Sequence, residues 1–385
     1  MGGLRDYICE SLSGLRLSDS DKKRLLELDK EYDDICKMYN RDRNSKDILN
    51  LEEEKKKFLE ERAKGNRYFP KLKQEPNKFR KDNILEKIEN LILQFERLNC
   101  PLSKYYIQLL EPMRMKVLFS LDMDRYMPWY TTYMAQKPTM EEYDKAVKAL
   151  KENPYRDVPE SERNITAKEA AKEIQKHIDR LGYGWSVEFN PNMVPRMAVS
   201  TDRKMFVNPK AMFSKTDIEG LKAHEVEGHV GRRYYGLKTG LYLFLYGLLW
   251  RNDLDEGLAV WNSLHKVIEV KPNVMFNISL KTIVCYHLGE MDFCDLFDYC
   301  KSIAPNFPDE KLFTVIARFK KEIQDCSILG GNGDDQSYFC GLQIVENMTD
   351  AERDDILKYN IGPGQISELP EIKRFLELNK FEPLI

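Results

Sequence analysis

Apolar residues recur at helical spacing through most of this chain. Ile84, Ile88, Leu91, Phe95 and Leu98 form one stripe, the signature of a helix with a buried face. Two capping boxes, Thr139 to Glu142 and Thr166 to Glu169, predict helices near 140–151 and 167–181, and Gly182 closes the second as a C-cap. Thr216-Asp217-Ile218-Glu219 predicts the start of another helix, and the apolar run Leu241 to Trp250 predicts a buried element, too short to span a membrane. Residues 260–325 are mostly helical in pattern, with Pro305 and Pro308 marking a turn. Strand signals are confined to one region. Trp185-Ser186-Val187-Glu188-Phe189 alternates, Met205-Phe206-Val207 is a short apolar run, and Met197-Ala198-Val199 is expected as the strand between them. The expected fold class is therefore α+β and mainly helical.

The stretch 151–165 contains Pro154, Pro159 and many charges and reads as a linker. It divides the chain into a helical N-terminal region, 1–150, and a second domain, 151–385. Within the first, Leu51 to Arg67 reads as a solvated helix, and Met127 to Tyr133 as an aromatic, loop-like segment packed in the core. The tail from Asn360, with Pro363, Pro370 and Pro383, is expected to wrap the surface.

Composition narrows the function classes. A chain of 385 residues with 42% hydrophobic content folds into one large or two moderate domains. Sixty basic against 63 acidic residues give a net charge of −3, which argues against a nucleic-acid binder. No stretch is long enough to cross a bilayer, so no membrane association is expected. The eight cysteines show no C-x-x-C spacing, and Met1 to Asp6 carries neither an apolar signal core nor a myristoylation pattern. Free thiols in a reducing, cytoplasmic compartment are the expectation.

The chemistry centres on His224-Glu225-Val226-Glu227-Gly228-His229, which holds two of the five histidines. Two imidazoles and a carboxylate are what a catalytic zinc site needs. The step between these histidines is five residues, which on a regular α-helix turns them roughly 140° apart. A π-type turn would return them to one face, and Gly228 stands where such a distortion is cheapest. The next acids, Asp253-Leu254-Asp255-Glu256, open a helical pattern, and Glu256 is either a third ligand or the closing residue of a capping box on Asp253. The apolar run 241–250 is expected to pack between the two ligand-bearing helices. His265 lies near the same helix face as Glu256 and reads as a supporting or core histidine. His177 and His287 read as structural.

Three motifs together resemble the microtubule-associated tyrosine carboxypeptidases and their bacterial relatives. They are His224-Glu225 with His229 and Arg232; Asp255-Glu256-Gly257-Leu258-Ala259; and Gly330-Gly331, Asp335, Tyr338, Gly341 and Leu342. The resemblance covers roughly residues 160 to 345. It implies one Zn2+ per chain held by His224, His229 and Glu256, with Glu225 as general base. It also implies a zinc-peptidase-like domain with a small sheet beside the metal-binding helix. The substrate it implies is a protein or peptide C-terminus, tubulin-like in the family, from which an aromatic residue (Tyr or Phe) is removed. The chain departs from the family at Asn332-Gly333-Asp334, where a basic residue is expected, at Glu227-Gly228 and at Tyr235-Gly236-Leu237. These positions bear on the substrate more than on the metal.

In that mechanism Glu225 takes a proton from water activated by zinc and passes it to the leaving amine. Tyr338 is the candidate oxyanion donor. Arg232, or equally Arg233, is the candidate clamp for the substrate carboxylate, because a guanidinium donates two parallel bonds. Two readings stand beside it: an endo- or aminopeptidase on the same metal core, and a catalytically inactive peptide-binding module.

Overall fold

The computed structural model describes residues 16–42, 48–80, 83–134, 137–156, 162–191, 193, 195–249 and 253–385. Met1 to Asp6, Cys9, Pro159 in the expected linker and Trp250 lie outside the described residues. The chain is mainly helical, with two small sheets. No described helix is long and apolar enough to cross a membrane.

Local signals set most of the elements. The stripe from Ile84 becomes the helix Ile84–Arg97, whose Ile84, Ile88, Leu91 and Phe95 are fully buried. Capping boxes at Thr139 and Thr166 open the helices Met140–Glu152 and Ala167–Leu181, and Gly182 takes the left-handed conformation, φ 68°, behind the second. The described residues form the strands β1 (Ile165–Thr166), β2 (Ser186–Phe189), β3 (Met197–Val199), β4 (Lys204–Val207) and β5 (Met212–Phe213). β1 pairs with β5, and the other sheet has the order β2-β4-β3. Met197–Val199 is thus an edge strand rather than the middle one. The middle position belongs to β4, whose Met205 and Val207 are fully buried. β3 lies against the helix that carries the paired histidines.

Several segments differ from expectation. The histidine-bearing helix starts two residues earlier, at Lys215, because Ser214 directly after β5 caps it with Asp217 in a capping box. Met123–Tyr133 is a helix, with Tyr130 stacked on Phe119 at 4.1 Å between centroids. The charged helix Leu51–Ala63 is not wholly solvated. Phe58 sits in a ring cluster with Phe293, Phe297 and Phe313, and buried Glu54 accepts hydrogen bonds from Tyr68 Oη (2.8 Å) and Lys71 N (2.9 Å). The tail does not wrap the surface. Its helix Leu369–Asn379 places Leu369, Ile372 and Phe375 in the core. All seven described cysteines are free and buried.

One apolar core joins the two sides of residue 150: Leu28, Ile88 and Leu110 pack in the same cluster as Phe244, Leu254 and Phe375. A polar tie reinforces it. Asp29, on the helix Asp19–Asp42, accepts hydrogen bonds from the backbone N–H of Tyr242 (2.7 Å) and Leu243 (3.0 Å) and from Tyr106 Oη (2.7 Å). It caps the short helix Tyr242–Tyr246 from a distant part of the chain. That helix packs on Gly231–Lys238 and Asp19–Asp42 instead of lying between the ligand-bearing helices, which meet each other directly. Their contact is backbone-close. A Cβ on Gly228 would stand 2.9 Å from Ala259 Cβ, and on the helix Ser337–Glu346, which also packs on Asp253–Lys266, one on Gly341 would stand 1.9 Å from the carbonyl oxygen of Asp253.

Two outcomes are expected. Gly341→Ala forces the helices Asp253–Lys266 and Ser337–Glu346 apart and should lower stability by roughly 3 kcal/mol, the upper end of overpacking costs. An unchanged urea midpoint would show that the helices part freely. Burial pushes Asp29 from 3.8 up to about 6 against the hydrogen bonds that oppose it. Its folded pKa lies above its unfolded one, so its stabilising protonation is complete below about pH 4 and lost as pH rises through about 6. The loss is roughly 3 kcal/mol. Unfolding free energies of wild type and Asp29→Asn across that window should diverge accordingly, and parallel curves would refute the assignment.

Candidate metal centre

A nine-residue π-helix, Lys222–Val230, continues the helix Lys215–Leu221 and passes into the helix Gly231–Lys238. Its wider winding puts residues five apart on one face. His224 and His229 therefore face the same space, with ring centroids 5.0 Å apart and planes at 78°. Gly228 has its place for a reason other than backbone freedom: its missing side chain lets the π-helix lie against Ala259 of the helix Asp253–Lys266. That approach brings Glu256 to the imidazoles. Its Oε2 is 3.4 Å from His229 Nε2 and 3.7 Å from His224 Nε2.

These residues could hold a metal ion: one ligand atom from each of His224, His229 and Glu256 lies within 4.8 Å of the other two. Tetrahedral ligands about 2.0 Å from a zinc are separated by about 3.3 Å, so only small adjustments are needed. The buried Glu256 Oε2 makes no good hydrogen bond, as a carboxylate oxygen aimed at an ion would not. Electrostatics point the same way. Burial lowers the His224 pKa. It also opposes charge on His229, but Asp255 and Glu256 outweigh it and raise that pKa well above the ordinary value.

A second layer orients the first. Asp255 Oδ1 is 3.1 Å from His229 Nδ1, so Nε2 is the nitrogen presented to Glu256. Behind Asp255 stands Arg232, which has no exposed surface. Its Nε is 3.5 Å from Asp255 Oδ1, and its Nε and Nη2 donate to Asn360 Oδ1 at 3.1 and 2.8 Å. Nη2 also donates to the Ile361 carbonyl (3.1 Å). Arg232 thus stands behind His229 with no exposed surface and no place on the wall of the adjoining cavity, an arrangement unlike that expected of a carboxylate clamp. Its neighbour Arg233 is half-buried and lines no part of the adjoining cavity.

Glu225 follows His224, half-buried, with no hydrogen bond or ion pair among the described residues. Its charge acts on both His224 and Tyr338. The Tyr338 ring lies parallel to that of His224, 6.4 Å between centroids. The Glu256 carboxylate first, then burial and Asp335, hold its pKa well above the ordinary value, so its hydroxyl remains a donor. A cavity of about 970 Å³ opens beside Glu256 and Tyr338. It is walled by Tyr39, Lys116 and Phe79 from the first 150 residues and by Arg318, Asn332 and Asp334 from the rest.

The other histidines stay away from this centre. His265 stacks on Trp261 at 4.3 Å and faces solvent. His177 contacts Glu227 Oε1 at 2.9 Å, and Glu227 also pairs with Lys266, so this family departure points away from the cavity. His287 is enclosed by Tyr143, Tyr286 and Tyr299. Sequence reasoning missed the roles of Asn360 and Arg318. Asn360 has a faint signal, an Asn before Ile-Gly-Pro, which suits the left-handed residue (φ 46°) that ends the helix Asp350–Tyr359. Arg318 belongs to no motif.

Fold and site together define a mainly helical protein with a largely shielded His-His-Glu cluster beside a cavity. A family model described as microtubule-associated tyrosine carboxypeptidase matches residues 57–359, and the chain belongs to that family, one of carboxypeptidases and hence hydrolases. Comparison with the curated proteins finds no match.

Proposed function

We propose that this protein is a zinc-dependent carboxypeptidase that removes a C-terminal aromatic residue, Tyr or Phe, from a protein or peptide. The carrying observation is the convergence of His224 Nε2, His229 Nε2 and Glu256 Oε2, with Glu225 beside them and a cavity in front. Membership of the tyrosine carboxypeptidase family supports the reaction, and its description makes a tubulin-like C-terminus the first substrate to try.

Bound zinc would supply Lewis acidity and a water acidified to near neutral pH. Glu225, which makes no hydrogen bond or ion pair among the described residues, takes the water proton and returns it to the leaving amine. The protonated Tyr338 hydroxyl donates to the oxygen that gains charge. Asp255 and Arg232 hold the His229 ring in place throughout. The outer edge of β3, beside the π-helix, offers backbone groups to an extended substrate.

The test begins with metal analysis. Wild type should hold one zinc per chain and His224→Ala none. Glu225→Gln should keep the metal and lose about 10²–10⁴-fold in kcat on peptides ending in Tyr, the usual range for a general base. Near-normal turnover by that variant would rule out this mechanism. Asp255→Asn should weaken zinc affinity about 10–100-fold in chelator competition, as loss of a supporting carboxylate does. Wild-type affinity would mean that Asp255 does not orient the ligand.

A further inference from the structure

A carboxypeptidase must bind the free carboxylate at the end of its substrate, and with Arg232 buried behind His229 that task falls to another cation. The cavity wall supplies one beside the reacting centre. Arg318 lines the same cavity as Glu256 and Tyr338. Its Nη2 donates to Asp335 Oδ1 at 2.9 Å, and its Nε lies 2.7 Å from Oδ2. Asp335 stands one helical turn before Tyr338, so the guanidinium is held alongside that ring. A guanidinium has five N–H groups, and the two turned to Asp335 leave the Nη1 pair and one N–H of Nη2. The side chain keeps 49% of its surface exposed, while that of Asp335 keeps 10%. Lys281 adds a second cation: its Nζ is 3.1 Å from Asp335 Oδ2 and 4.4 Å from the centre of the Tyr338 ring. Two cations therefore bear on this one carboxylate, and Arg318 is the one of the two that lines the cavity. Lys116, also on the cavity wall, is by contrast engaged by Glu322 at 2.7 Å.

Resting on the carboxypeptidase reading, we propose that Arg318, braced by Asp335 and assisted by Lys281, binds the terminal carboxylate of the substrate. The residue to be removed then lies across Tyr338, with its scissile carbonyl directed to the His-His-Glu cluster. Asp334, where the family carries a basic residue, lines the same cavity as Arg318.

The experiment compares one peptide ending in Tyr as the free acid and as the C-terminal amide. Binding is measured by fluorescence anisotropy in the Glu225→Gln protein, and turnover of the free acid in the otherwise wild-type protein. Arg318→Ala should weaken binding of the acid, and raise its KM, by about 10–100-fold, the loss expected for charge-assisted hydrogen bonds. Amide binding, kcat and zinc content should change little, so the preference for acid over amide collapses. Arg318→Lys keeps a charge on Asp335 but loses the fork. It should show a smaller loss in the same direction, and it carries the test if the alanine variant does not fold. An acid preference that survives both substitutions with full zinc content overturns the clamp alone. Equal binding of acid and amide by the Glu225→Gln parent overturns the carboxypeptidase reading and the clamp with it.

Discussion

The site depends on a stretch of backbone wound wider than an α-helix. With ordinary winding, His224 and His229 would point to different sides of their helix, and no neighbouring carboxylate could serve both. Nine residues of π-helix remove that conflict. Such winding is rarely stable alone and needs outside support. Here the support is the Gly228–Ala259 contact, where the absence of one side chain lets the helix Asp253–Lys266 press against the distorted turn. The same helix is pressed from another side by Ser337–Glu346, at Gly257 and Gly341. One packing arrangement thus sets both the distance between the imidazoles and the reach of Glu256.

Burying charge at this centre is costly unless each charge is answered. The chain answers with a line of groups from the surface of the metal pocket to the interior: Glu256 and His229, then Asp255, then Arg232, then the Asn360 side chain and the Ile361 carbonyl. Asn360 is tied in turn, donating to the carbonyls of Phe244 and Leu245 at 2.9 and 3.2 Å. The far end of the line is therefore a helix terminus in a different part of the chain. The half-buried Asp255 and Glu256 carboxylates both bear on the His229 imidazole and hold its pKa above the ordinary value against burial. His224, His229 and Glu256 together could hold a metal ion at this point.

Those parts of the structure that depend on neighbouring residues were legible in the sequence. Capping boxes at Thr139 and Thr166, the Gly182 terminator and the stripe from Ile84 each act within a few residues, and the structure has them as expected. The five-residue histidine step announced its own distortion, since no regular helix would make chemical use of it. Arg232 could not be placed in this way. Its motif position puts it one turn past His229, and whether a guanidinium there faces in or out is decided by Asn360, far along the chain. Likewise Met123–Tyr133 looked irregular because of Pro128 and its aromatic neighbours, yet stacking of Tyr130 on Phe119 favours a helix there. Sheet order was hidden for a related reason: β2 and β4 are parallel, so sequence neighbours need not be sheet neighbours.

The cavity shows why the motifs alone leave specificity undetermined. All three motifs lie between residues 224 and 342, and they contain the His-His-Glu cluster, Glu225 and Tyr338. The opposite wall comes from residues such as Tyr39, Phe79 and Lys116, which lie in none of them. Those residues are held in register with the site because Leu28, Ile88 and Leu110 share a core with Phe244 and Leu254, and because Asp29 caps the helix Tyr242–Tyr246. A helical region that looks like a separate appendage in the sequence thus forms part of the cavity. Changes in it could alter which chain ends are accepted without touching a ligand, whereas changes in the motifs would alter whether any chain end is cut.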